Sequence, residues 1–110
     1  MLSKDEVVAI NKLFHTGKIS NESSLDFALT TLKKTKDWTT QLAYLIRTIV
    51  VDHAFEEGNK RTAAAIMISY AEAHKKPFDI YNIDKTIRDL IEKNITDIAT
   101  IRRMIKHAIA

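Results

Sequence analysis

The hydrophobic positions along most of the chain recur at helical spacing. Apolar residues stand three or four positions apart, as they do on one face of an α-helix, and the alternating pattern of a β-strand is rare. Helix breakers are scarce as well, because the chain has one proline and two glycines. The pattern predicts an all-α fold, a small compact bundle of about six helices.

Polar residues at suitable spacing predict where the first three helices begin. The predicted starts are a capping-box pair of Ser3 and Glu6, the pair Ser23 and Asp26, and a single cap at Asp37. The first helix should end near Gly17, where the chain becomes polar and irregular. Each of these three helices should supply one apolar face to a shared core.

The fourth helix is predicted to occupy the centre of the bundle. It should begin near Lys60 and run to about Lys75, since Pro77 prevents its continuation. Its residues are apolar nearly all round, which is typical of a helix with neighbours on every side. A short extended piece over Phe78–Tyr81 and two amphipathic helices should follow, the last of them capped by Thr96.

Length and composition predict one soluble, cytoplasmic domain over residues 1–110. No apolar run approaches the roughly 20 residues of a membrane span, and charged residues occupy positions 4–6, where a signal peptide would be apolar. The absence of cysteine fits a reducing compartment. The formal charge of +3 is small and scattered, which disfavours a nucleic-acid partner.

Several familiar sites are excluded by the residue counts. Gly17 and Gly58 are too far apart for a dinucleotide fingerprint or a Walker loop. Without cysteine there is no thiolate zinc site, and the four histidines form no His-Glu-x-x-His pair. Any nucleotide site must therefore use some other phosphate-binding arrangement.

A dense polar segment at residues 53–61 joins the two most apolar helices. If Asn59 caps the fourth helix, Lys60 and Arg61 lie in its first turn, where free N–H groups and the macrodipole already present positive charge. Each cation there costs about 0.3 to 1 kcal/mol in the absence of an anion. The arrangement predicts an anion, such as a phosphate, at the helix start.

The neighbouring residues extend this prediction. Gly58 allows positive φ and a close approach of backbone to phosphate. Glu56 and Glu57 would repel a phosphate unless a divalent cation such as Mg²⁺ lay between them. The ordinary pKa of histidine, about 6.5, suits His53 to act as a general base near neutral pH. The segment thus combines a base, a metal ligand and an anion cradle.

Residues 53–61 resemble the signature of the Fic/Doc (Fido) family, His-x-Phe-x-Asp/Glu-Gly-Asn-Gly/Lys-Arg, at every defined position. A looser resemblance extends over about Gly17 to Asp79. Members of this family are small helical bundles that use ATP or a related nucleotide to modify a hydroxyl side chain of a target protein. The resemblance therefore implies a transferase with ATP as co-substrate and Mg²⁺ as cofactor.

The resemblance also implies a role for each matching residue. His53 would deprotonate the target hydroxyl, Glu57 would hold Mg²⁺ against the nucleotide phosphates, and Phe55 would anchor the loop in the core. The phosphates would be bound by Gly58, Asn59, Lys60 and Arg61. The polar segment Thr16–Ser24 corresponds to the family's flap, which aligns the target peptide.

Two departures from the AMP-transferring pattern favour the death-on-curing branch of the family. Ala64 stands where AMP-transferring members usually carry a second arginine. Lys60 is the residue typical of the death-on-curing branch, whose toxin member looks like a kinase of a translation elongation factor. The resemblance thus implies a Doc-like phosphotransferase toxin; AMP transfer (AMPylation) stays an alternative, because Gly58 is typical of AMP-transferring members as well.

The sequence contains no Ser/Thr-x-x-x-Glu-Gly/Asn inhibitory helix, so we expect inhibition by a separate antitoxin protein. Two functions of other classes stay open. Arg102 and His107 have the Arg-x4-His spacing of small HEPN-type ribonucleases, although Arg103 replaces the polar residue usual after the first arginine. The motif could also serve a non-catalytic module that only binds nucleotide.

Overall fold

The computed structural model describes residues 2–109, which form six α-helices and one π-helical turn. The elements are α1 (Lys4–Lys12), α2 (Glu22–Leu32), α3 (Trp38–Ile46), the π turn (Arg47–Val51), α4 (Asn59–Ala73), α5 (Ile80–Glu92) and α6 (Ile98–Ala108). Within this range extended backbone pairs only at a single antiparallel bridge between Ile19 and Phe55. The prediction of an all-α bundle of about six helices is confirmed.

The predicted helix starts are partly confirmed. Ser3 and Glu6 form the expected capping box of α1, and Asp37 caps α3 through Thr39 N–H. The prediction for α2 was wrong. Its cap is Asn21, whose Oδ1 accepts a hydrogen bond from the N–H of Ser24, so the helix begins before the predicted pair.

Two further predictions, both in the second half of the chain, were wrong: the cap of the last helix and the extended piece before α5. Asp97, not Thr96, caps α6, because the Asp97 carboxylate accepts hydrogen bonds from both the N–H and the hydroxyl of Thr100. The piece Phe78–Tyr81 is not extended throughout. The Asp79 side chain accepts from the N–H of Tyr81, and this cap starts α5 at Ile80.

Helix α4 lies at the centre of the bundle, as predicted. It packs against α1, α3, α5 and the π turn, and six of its residues are buried: Thr62, Ala63, Ile66, Met67, Tyr70 and Ala71. It ends at Ala73, slightly before the predicted end. Lys75 then adopts positive φ, and the N–H of Lys76 bonds back to the carbonyl of Ala71, which closes the helix end.

The closing helix α6 packs against α3 and α5. At the start of α3, Arg102 Nε of α6 lies 2.9 Å from both Asp37 Oδ2 and Thr39 Oγ1. Apolar side chains such as Ile101 and Ile105 complete the contact from the core side. No helix in the described range is long and apolar enough to cross a lipid bilayer.

Candidate active site

The helix that leads into the polar segment ends in a π-helical turn. The N–H of Asp52 bonds to the carbonyl of Arg47 at 3.1 Å, and the N–H of Ala54 bonds to the carbonyl of Thr48 at 3.0 Å. Between them His53 adopts a φ of 52°, a left-handed conformation that costs a non-glycine residue about 1 to 2 kcal/mol. The turn leaves His53 exposed and buries Ala54.

Polar contacts from the start of α2 hold this turn in place. Asp52 Oδ2 accepts a 2.6 Å hydrogen bond from the hydroxyl of Ser24, which also lies 2.8 Å from Thr48 Oγ1. The carbonyl of Asp52 accepts from Asn21 Nδ2 at 3.1 Å. The residue next to His53 is therefore bonded through both its side chain and its backbone, which supports the disfavoured conformation.

The segment predicted as a flap runs beside the same loop. Within Thr16–Ser24, the N–H of Ser20 bonds to the carbonyl of Ala54 at 2.7 Å, and the N–H of Glu56 bonds to the carbonyl of Lys18 at 3.0 Å. The last three residues of the predicted segment differ from the expectation, since they belong to α2. The segment is thus paired with the backbone that follows His53.

Asn59 closes the loop before α4. Its Oδ1 accepts from the N–H of Phe55 at 3.1 Å and its Nδ2 donates to the carbonyl of Phe55 at 2.8 Å. Phe55 itself is buried in the core. Asn59 is therefore not the cap of α4; Gly58 is the residue at the cap position, with a φ of 78° and no side chain.

The start of α4 presents free hydrogen-bond donors. The N–H groups of Gly58, Asn59 and Lys60 make no hydrogen bond within residues 2–109, and the first bonded one is Thr62 N–H, 2.9 Å from the carbonyl of Gly58. Unpaired N–H groups at a helix start, together with the helix dipole, favour an anion. These free donors lie where the sequence predicts an anion cradle.

Asn11 is a residue of this site that the sequence-based prediction missed. It lies near the end of α1, only 1% exposed, and its Nδ2 donates at 3.0 Å to the carbonyl of Glu57 and to Thr62 Oγ1. A signal was present in the sequence. Asn11 follows the buried Val7 by four positions, so it had to lie on the apolar face of α1.

These elements surround an open cavity of about 470 Å³, a volume typical of small-molecule sites. It is lined by Phe14, His15, Val50, His53, Glu57, Gly58, Asn59, Lys60, Arg61 and Ile91. The structure thus brings together every predicted site residue except Phe55, which lies in the core below. Four lining residues were not predicted, because they come from the turn after α1, from the π turn and from α5: Phe14, His15, Val50 and Ile91.

The charges around the cavity are unevenly paired. Lys60 and Arg61 are exposed and form no ion pair within the described residues. The Glu57 carboxylate contacts the imidazole of His15. Glu56 pairs instead with Lys18 at 3.4 Å and does not line the cavity. Two cations without a partner beside free N–H groups strengthen the preference for an anion.

The side chains around the cavity offer few ligands for a metal ion. No group of three or more histidine, aspartate or glutamate side chains that could hold a metal exists in residues 2–109. Glu57 is a single carboxylate with a side chain 67% exposed, at the edge of the cavity. One carboxylate beside an anion cradle fits Mg²⁺ that is bound mainly by phosphate oxygens and water.

Comparison with known families places the chain. The sequence model of the Fic/DOC family matches residues 2–71, a span that includes α1, the loop after the π turn and most of α4. This is more than half of the chain, so the protein belongs to the Fic/DOC family, which is generally a family of transferases. No match was found among the curated proteins or the solved structures.

Proposed function

We propose that this Fic/DOC protein transfers a phosphate-containing group from ATP to a hydroxyl side chain of a target protein. The single observation that carries the proposal is the cavity at the start of α4. There an exposed histidine, His53, shares one space with the carboxylate of Glu57 and with the unpaired N–H groups and cations of the helix start. A base, a site for a cation and a site for an anion are the parts that phosphoryl chemistry requires.

The triphosphate of ATP would lie at the start of α4. The N–H groups of Gly58, Asn59 and Lys60 are free to donate to phosphate oxygens. Arg61 presents a planar guanidinium suited to two parallel hydrogen bonds with a phosphate. Apolar side chains of the cavity, Val50 and Ile91 among them, offer a surface for the nucleotide base.

Glu57 would hold Mg²⁺, which when bound would neutralise part of the negative charge of the phosphates. The Glu57 side chain is exposed, and its contact with His15 would have to open to admit the cation. Lys60 and Arg61 would balance the remaining phosphate charge from the helix side. Such positioning and charge stabilisation account for most of the rate in phosphoryl transfer.

His53 would act as the general base. Its side chain is exposed and lines the cavity, so a ring nitrogen can accept the proton of a target hydroxyl. The hydroxyl oxygen then forms a bond to phosphorus, and the bond from that phosphorus to the leaving phosphate oxygen breaks. ADP leaves in a phosphoryl transfer and pyrophosphate in an AMP transfer.

Two residues support phosphoryl transfer over AMP transfer. Lys60 is the family variant typical of the death-on-curing branch, and Ala64 lacks the charge that AMP-transferring members place there. A Doc-like toxin with a translation factor as target and a separate antitoxin as inhibitor is the corresponding biological role. AMP transfer is the alternative, because both reactions use the same base and the same anion cradle.

The ribonuclease alternative has less support. Arg102 is held by Asp37 and Thr39 at the start of α3. His107 lines a small cavity beside Lys85 of α5, and Arg102 does not line that cavity. The two side chains therefore do not share a space in which an RNA phosphate could be bound by one and attacked with the help of the other.

The experiment that separates the reactions uses two forms of labelled ATP. The protein is incubated with cell extract, Mg²⁺ and ATP labelled at either the γ or the α phosphate, and labelled proteins are separated on a gel. Labelling from the γ phosphate alone is the expected result. Labelling from the α phosphate would identify AMP transfer, and no labelling from either form would contradict the proposal.

A further inference from the structure

We infer that Asn11 is a positioning residue of the nucleotide site. The inference rests on the proposed function, since it concerns the same cavity. Asn11 does not line this cavity; it is buried behind the cavity, near the end of α1. It would act through the residues to which it is hydrogen-bonded, and both polar atoms of its side chain, Nδ2 and Oδ1, form such bonds.

Asn11 contacts two segments that line the cavity. Its side chain donates to the carbonyl of Glu57 on the wall formed by the loop before α4. Its own backbone carbonyl accepts from the N–H groups of Phe14, at 2.9 Å, and His15, at 2.8 Å, and both residues line the same cavity. Its Oδ1 also accepts from the N–H of Gly17 at 2.9 Å, which fixes the turn after α1.

The bond to Glu57 sets the direction of the peptide that follows it. In a trans peptide the carbonyl and the next N–H point in opposite directions, and the described chain contains no cis peptide. Because Asn11 draws the Glu57 carbonyl toward the interior, the N–H of Gly58 is turned away from Asn11, toward the cavity. Rotation of this peptide would present a carbonyl oxygen to a phosphate in place of the N–H group.

The chemistry of this position is specific to asparagine. Its NH₂ group supplies two donors and its oxygen one acceptor, and the three contacts with Glu57, Thr62 and Gly17 use all of these functions. Aspartate would keep the acceptor and lose both donors. Leucine would fill a similar volume and lose all three contacts.

Thr62 provides a matched control for a purely structural role. It is as buried as Asn11 and accepts the second hydrogen bond of the same Nδ2. Thr62→Val removes that acceptor at nearly constant volume, but it leaves the bond from Asn11 to Glu57 in place. A loss that comes only from packing or stability would therefore appear in both variants.

The test compares ATP affinity, measured by calorimetry with Mg²⁺, in the wild type, Asn11→Asp, Asn11→Leu and Thr62→Val. Circular dichroism sets a temperature at which the variants are folded. We expect both Asn11 variants to bind ATP at least tenfold more weakly than the wild type, and Thr62→Val to stay within about threefold. Equal affinity in the Asn11 variants, or an equal loss in Thr62→Val, would overturn the inference.

A measurement on the wild type covers the case in which the Asn11 variants do not fold. In ¹⁵N-labelled protein, ATP should move the Gly58 amide proton downfield, and the Asn11 side-chain amide protons should exchange slowly with and without ATP. Rapid exchange of those protons, or a Gly58 signal that ATP does not move although ATP binds, would contradict the inference alone. Absence of ATP binding by the wild type would instead contradict the proposed function.

Discussion

The side-chain amide of Asn59 hydrogen-bonds both backbone polar groups of Phe55, at 3.1 Å and 2.8 Å. This pair of bonds joins the start of α4 to the residue that anchors the loop in the core. The family resemblance implies that Asn59 binds phosphate. Phe55 uses the side-chain oxygen of Asn59 and one Nδ2 hydrogen, which fixes the side chain against the loop, and the backbone N–H of Asn59 is free for an anion.

The first prediction concerns this loop closure. Asn59→Ala should lower the free energy of unfolding by about 1 to 3 kcal/mol, because both backbone groups of Phe55 lose their partner in a part-buried setting. Urea unfolding followed by circular dichroism measures the change. The control Asn82→Ala alters an exposed residue of α5 and should cost less than about 0.5 kcal/mol. Equal effects would argue against the loop closure.

The second prediction compares the two glycines, which both have a φ of 78°. Alanine is strained at either position, by about 1 to 2 kcal/mol. At Gly58 a Cβ would lie 3.1 Å from Asn11 Nδ2 and 3.3 Å from His15 Cβ, whereas at Gly17 it would meet mainly the flexible side chain of Lys12.

Both alanine variants should therefore be less stable than the wild type. Only Gly58→Ala should also lose ATP binding, since its added Cβ displaces residues behind and beside the cavity. Calorimetric titration with ATP and Mg²⁺ distinguishes the two. Full ATP affinity in Gly58→Ala would show that this backbone position does not contact the nucleotide.

The third prediction is that replacing Arg61 makes the ATP-free protein more stable but weakens its binding of ATP. Arg61 lies in the first turn of α4, where a cation is unfavourable by about 0.3 to 1 kcal/mol without an anion. Arg61→Gln should raise the free energy of unfolding of the ATP-free protein by that amount and weaken ATP binding. Arg103→Gln, an exposed change inside α6, should do neither. A destabilised Arg61→Gln protein would contradict the anion cradle.

The fourth prediction concerns acid stability. Partial burial pushes the pKa of Asp37 upward, but hydrogen bonds from two threonines and the charge of Arg102 outweigh it and hold the pKa at about 2, below the ordinary 3.8. A carboxylate with a lowered pKa in the folded state stabilises the protein above its unfolded pKa. This contribution is fully present above about pH 4 and is lost as the pH falls toward 2.

Asp37→Asn keeps a capping residue at the start of α3 but removes the charge that faces Arg102. It should lower stability at pH 7 by about 0.5 to 1 kcal/mol, the scale of a partly exposed ion pair. The difference from the wild type should shrink as the pH approaches 2. Urea unfolding at pH 7, 4 and 2.5 measures this, and a difference that does not change with pH would contradict the assignment.

Much of the fold follows from local signals in the sequence. The caps at Ser3 and Asp37 predict the starts of α1 and α3 correctly, because these signals act within one turn of chain. The predicted end of the first helix near Gly17 was wrong, since α1 ends at Lys12. Local signals also explain the errors. The predicted caps of α2 and α6 were wrong because Ser23 and Thr96 can accept the same hydrogen bonds as their neighbours Asn21 and Asp97. Which of the neighbouring residues caps the helix depends on how the helix packs in the bundle.

The cavity could be predicted only in part. Residues 53–61 are contiguous, so their joint chemistry is visible in the sequence. Asn11 and His15 meet this segment only because α1 packs against α4, a contact that spacing along one helix does not reveal. The π turn before His53 was not predicted either, since it depends on the polar contacts of Asp52 with α2.

The role of His53 is tested most directly by its replacement. His53→Ala should still bind ATP with Mg²⁺, because the anion cradle belongs to the start of α4, but it should no longer transfer label from ATP to proteins of a cell extract. His107→Ala, an exposed histidine of α6, should label like the wild type. Label transfer by His53→Ala at the wild-type rate would contradict the proposed catalytic site.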